Sequence, residues 1–88
     1  MGEPVKFEGS NHSFGPPPGL EEMVGHLPVF ANGRSVVTAW KLDPEELAEI
    51  MRTGMVFCTM MTGMNAYPMY VGSEETVRQV CSDTGPTW

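Results

Sequence analysis

The stretch Lys41-Leu-Asp-Pro-Glu-Glu-Leu-Ala-Glu-Ile-Met-Arg-Thr-Gly54, followed at once by the apolar run Met55 to Met61, constrains this chain more than any other. Asp43 has the short acceptor side chain of an N-cap, Pro44 suits the first helical position, and Glu46 falls three after the cap, in capping-box register. Glu45, Glu46 and Glu49 lie towards the positive end of the helix dipole and Arg52 towards the negative end. Leu47, Ile50 and Met51 form one apolar stripe, and Gly54 can take the left-handed position that stops a helix. The spacing predicts a helix over 43–53. Met55 to Met61 has few polar interruptions on either parity, as expected of a central strand buried on both faces. Leu47, Ile50, Met51, Val56, Phe57 and Cys58 are therefore the expected core.

Upstream, Leu27-Pro-Val-Phe-Ala, Asn32-Gly33 and Arg34-Ser-Val-Val-Thr-Ala-Trp40 read as a hairpin, with Asn-Gly supplying the two positive-φ residues of a type I′ turn. Pro28 cannot donate to a ladder, which puts its strand at an edge or starts it there. On the return strand, Arg34, Val36, Thr38 and Trp40 share one face, and Ser35, Val37, Ala39 and Lys41 the other. Downstream, Gly63 turns the chain into Tyr67-Pro-Met-Tyr-Val71, an edge strand by virtue of Pro68. Ser73 caps a last helix with Val77, Val80 and Cys81 as its stripe, and the tail leaves Trp88 after Asp83-Thr-Gly-Pro-Thr. Gly19 to Gly25 fits a short helical turn with Leu20, Met23 and Val24 on one side. Residues 1–18, with Pro16-Pro17-Pro18, read as an extended arm before a single domain over 19–88. The predicted fold class is α+β: a small two-layer domain with a mainly antiparallel four-stranded sheet in ββαββα order, a helix on one face and the N-terminal arm.

Eighty-eight residues fit one small domain, and a chain of this size buries only roughly 60 to 65% of its unfolded surface. Self-association is an ordinary remedy, and the proline-started edges, the arm and eight methionines make at least a dimer the expected state. The methionines read as filler in a core or subunit interface, ahead of the alternative of a soft binding surface. Eleven acidic residues against five basic give a net charge of −6, which disfavours non-specific binding to nucleic acid or anionic lipid. A small anion remains possible, because a pocket needs only a few local cations and backbone N–H groups. The N-terminal residues carry no apolar h-region, so no secretory signal is expected, and no apolar run approaches the ~18 residues of a membrane span.

Chemistry-bearing patterns are sparse. No P-loop, GxGxxG, HExxH, GxSxG or EF-hand motif occurs, and Cys58, Cys81, His12 and His26 make no zinc spacing. Both cysteines read as buried free thiols, and a Cys58–His26 dyad would need the fold to join them. Acidic pairs such as Glu21-Glu22 and Glu45-Glu46 point to different helix faces and suit acid/base work poorly. No enzyme, cofactor or metal is expected. A recognition inventory is left: Phe14, Trp40, Tyr67, Tyr70 and Trp88 offer stacking surfaces, Arg34, Lys41, Arg52 and Arg78 offer cations, and Asn11, His12 and Ser13 offer further side-chain donors. Each aromatic also has an ordinary reading as core.

Phe14-Gly-Pro-Pro-Pro-Gly-Leu-Glu-Glu-Met-Val-Gly-His-Leu-Pro-Val29, the strand ending in Trp40, the acidic helix, Gly54 and the segment at Tyr67-Pro68 resemble a group of small accessory proteins of tailed bacteriophages, over roughly residues 11 to 72. The resemblance implies a non-enzymatic counter-defence product acting in the cytoplasm of an infected bacterium by stoichiometric binding. Two targets fit. One is a nucleotide-derived immune signalling molecule held between subunits, with Asn11, Phe14, Arg34, Trp40, Lys41 and Tyr70 as the ligand-binding residues. The other is a host protein met by the acidic helix face led by Glu45 and Glu49. A minor structural phage protein is a further reading.

Overall fold

The computed structural model describes residues 2–16, 18–19, 25–61 and 63–88. Five short strands come first, β1 (Glu3–Val5), β2 (His12–Phe14), β3 (Leu27–Ala31), β4 (Val36–Val37) and β5 (Ala39–Lys41), followed by helices α1 (Pro44–Thr53) and α2 (Glu74–Ser82). The molecule is a small α+β domain with two antiparallel sheets, β1-β5 and β2-β3-β4. Strands precede helices in place of the expected ββαββα order, because no strand forms over 55–61 or 67–71. The helical turn expected over 19–25 rests on residues outside those described.

The segment read as an arm is stitched into the domain instead. Glu3, Pro4 and Val5 pair with Lys41, Trp40 and Ala39, and His12, Ser13 and Phe14 pair with Val29, Pro28 and Leu27. Proline-rich flanks hid these three-residue strands, which are too short to show a period of two. Asn11 extends β2 with its side chain: Nδ2 donates to the Ala31 carbonyl at 2.9 Å, and the Ala31 N–H donates to Oδ1 at 2.8 Å. Pro28 sits in the middle strand of its sheet, but β4 pairs only with Phe30 and Ala31, so no neighbour asks Pro28 for an N–H on that side.

The hairpin forms with a different turn. Gly33 alone has positive φ (89°) and Asn32 does not, so the two left-handed residues of type I′ are absent. Asn32 acts through its side chain, Oδ1 accepting from the N–H groups of Arg34 at 2.9 Å and Ser35 at 2.8 Å. The return strand breaks at Thr38 and its two halves join different sheets.

The core gathers elsewhere than the sequence suggested. Phe30 (5% exposed), Val37 and Cys81 cluster, with Phe7, Val77 and Trp88 packed against them, while Val29 is fully buried. Neighbours on a strand point to opposite faces, so β3 is the strand buried on both sides. The tail closes this core. Trp88 meets Phe30 edge-on at 5.1 Å and Phe7 at 5.6 Å, the Arg78 guanidinium lies 5.1 Å over the same ring, and Asn32 Nδ2 donates to the Pro86 carbonyl at 2.9 Å. Helix α2 begins at its Ser73 cap and delivers Cys81 to the core as its apolar stripe requires.

Helix α1 has the expected ends: Glu46 N–H donates to Asp43 Oδ1 at 2.8 Å, and Gly54 takes the left-handed cap at φ 69°. It buries none of its residues. Leu47, Met51, Val56, Phe57 and Cys58 are all exposed and Ile50 is only half-buried, so the expected core is overturned. Capping and stripe depend on sequence neighbours, whereas burial needs a facing surface, and the described chain offers none here.

Candidate functional site

The six residues expected to bind a ligand do not converge. Asn11 is spent on the Ala31 backbone. Phe14 is exposed at the end of β2, its ring edge-on to His12 at 4.7 Å. Arg34 lies in the turn rather than on a strand, and Trp40 belongs to the other sheet, so the two do not share the strand face expected of them. Tyr70 is exposed in the non-regular segment before α2. Among the described residues, no hydrogen bond or ring contact joins any two of the six. Trp40 and Lys41 alone are neighbours, consecutive on β5. Trp40 is 53% exposed and its Nε1–H donates to Thr38 Oγ1 at 2.8 Å, which holds its ring in place, while the exposed Lys41 leaves the opposite face of β5. Trp88, also in the recognition inventory, is taken up by the core.

Two open hollows mark the surface. One, of about 430 Å³, lies over β2 and is lined by Lys6, Ser10, Asn11, His12, Ser13 and Pro28. Ser10 Oγ already accepts the Phe7 N–H at 2.9 Å, and the hollow adds the Lys6 ammonium to donors that the sequence had singled out at His12 and Ser13. The other, of about 570 Å³, lies along α2 between Glu74, Glu75, Arg78, Gln79, Ser82 and Thr87. Its cation is committed, because Arg78 Nη2 pairs with Glu74 Oε1 at 2.9 Å. No three His, Cys, Asp or Glu side chains come together among the described residues, and Cys58 and His26 have no hydrogen-bond partner among them. No helix among the described residues is long and apolar enough to cross a membrane.

The largest feature is the surface of residues 47–71. Leu47, Met51, Met55, Val56, Phe57 (87% exposed), Met61 and Met64, then Tyr67, Met69, Tyr70 and Val71, all face outward. Sequence reasoning assigned much of this set to the core. A signal for the alternative was present, because residues 53–73 contain no charged side chain and five of the eight methionines. Large exposed apolar patches are characteristic of interaction surfaces. No protein-family model, curated protein or solved structure matches the chain.

Proposed function

We propose that this chain is a non-enzymatic binding protein, oligomeric in its working form, that acts by stoichiometric capture through the apolar surface of residues 47–71. One observation carries the reading. The chain exposes 7254 Å², whereas a folded monomer of its 9.7 kDa mass exposes about 5,100 Å². The excess of roughly 2,100 Å² exceeds the ~800 Å² that each partner buries in an ordinary specific complex. The radius of gyration, 14.0 Å against about 12 Å for a domain of this length, points the same way.

The resemblance to phage accessory proteins supplies the setting, an infected bacterial cytoplasm, and the cargo, a nucleotide-derived immune signal left chemically unchanged. The held ring of Trp40 suits a base, and Lys41, which leaves β5 on the opposite face, suits a phosphate once a further subunit brings its own Lys41 to that ring. The exposed carboxylates of Glu45 and Glu49 favour a second reading, an inhibitor that meets a basic host surface.

The test incubates the full chain with cyclic di- and trinucleotides and ADP-ribose derivatives and follows the melting temperature. It then heats the complex and identifies what is released. Capture predicts a raised Tm, roughly 4 kcal/mol of stabilisation at a thousandfold excess over Kd, and release of the intact molecule. Trp40→Ala and Lys41→Ala should each remove the shift while leaving the Trp88 core intact. No shift with any nucleotide, together with loss of activity in infected cells for Glu45→Lys/Glu49→Lys, replaces capture with the inhibitor.

A further inference from the structure

Resting on that reading of the 47–71 surface, we infer that its occupant is a second copy of this chain, docked by antiparallel pairing of residues 55–61 with the same residues of the partner. The backbone supplies the first argument. Met55 N–H donates to Thr53 Oγ1 at 3.3 Å, and from Val56 to Met61 no backbone group has a hydrogen bond among the described residues. A strand-like stretch whose N–H and C=O groups, from Val56 to Met61, have no partner among the described residues is a template for another strand. The partner strand it lacks within the chain is the one a neighbour can supply.

Charge supplies the second. Each chain carries a net charge of −6, so two copies repel, yet residues 53–73 are wholly uncharged. A seam through this stretch brings no charged side chain of its own against the partner's. A partner recognised by charge would find nothing there to read. Symmetry supplies the third argument. A strand paired antiparallel with its own copy along one edge makes an isologous interface of two subunits. Area supplies the fourth. An excess near 2,100 Å² over the whole chain leaves room for the ~800 Å² per partner of a stable interface, and a second copy is present wherever the chain is made.

The experiment uses the full chain and two variants, Phe57→Arg and Thr59→Pro, with mass from light scattering and amide hydrogen exchange. Phe57 is 87% exposed and Thr59 is exposed, so neither change disturbs packing within one chain. An unaltered near-ultraviolet spectrum of Trp88 verifies that the fold is kept. The native chain should show twice its 9.7 kDa mass at micromolar concentration, with alternate amides of 56–61, those facing the partner strand, protected. Phe57→Arg should raise the dimer Kd at least about thirtyfold. Thr59→Pro, which puts a proline into the pairing strand without adding charge, should weaken it too. A native monomer, or a dimer whose 56–61 amides exchange freely, overturns the pairing. If the native chain is monomeric and Phe57→Arg still abolishes ligand or partner capture, the pairing falls while the binding surface stands. If the native chain is monomeric and capture is indifferent to Phe57→Arg, both fall.

Discussion

Helix α1 is capped by Asp43 at 2.8 Å and closed by a left-handed Gly54, while α2 starts from a longer Ser73 cap at 3.3 Å and ends without a glycine. The better-marked helix buries none of its residues, and the other carries Cys81 into the core. Their surroundings account for the difference. Around α2, Phe7, Phe30 and Trp88 arrive from three distant points of the sequence and give its stripe something to pack on. Around α1 and the 55–71 segment, equally apolar side chains meet no facing surface and stay in solvent. Local signals thus set where a helix begins and ends, and long-range partners set whether it is buried. In the proposed dimer the partner of the second region lies on another chain.

Substitutions can break or sharpen the contrast. The largest effect belongs to paired truncations of one residue type. Phe30→Ala should cost about 3–5 kcal/mol of folding stability, whereas Phe57→Ala should stay within about 0.5 kcal/mol in the dissociated chain, both read by denaturant unfolding. Equal costs would mean that the two regions share one core. Gly9→Ala comes next. An added Cβ would lie 2.8 Å from Trp88 Cβ and closer still to the ring, so overpacking should cost about 1–3 kcal/mol and perturb the tryptophan spectrum. The smallest pair compares the caps. Ser73→Ala should lower the unfolding midpoint through loss of about 1 kcal/mol, because α2 is tied to the core. Asp43→Ala should fray α1, visible as faster exchange of the Glu46 amide, without moving that midpoint.

The sequence disclosed what depends on near neighbours. Both caps, the Gly54 stop, the existence of the Asn32-Gly33 hairpin and the α2 stripe stand as the residues suggest. It hid what depends on distant ones. Glu3–Val5 and His12–Phe14 become strands only because β5 and β3 offer them ladders, and three residues between prolines and glycines carry no periodicity to notice. Trp88 looks like a loose end until Phe7 and Phe30 close around it. Among the candidate site residues, Trp40 and Lys41 were legible as neighbours. Asn11 misled because an amide suited to a ligand is equally suited to completing a strand, and Lys6 drew no notice because nothing local sets one lysine apart. The uncharged stretch 53–73 was legible as apolar, but apolarity does not say which chain will cover it.

Amide hydrogen exchange of the full chain over a dilution series, with mass followed by light scattering, tests the central contrast most directly. Amides of Val29 to Ala31 should stay protected at every concentration, since their ladder is internal. Alternate amides of Val56 to Met61 should be protected in the concentrated dimer and lose that protection as the mass falls to one chain. Protection of 56–61 that persists unchanged in the monomer would contradict the account, because it would mean that this region finds its partner within its own chain.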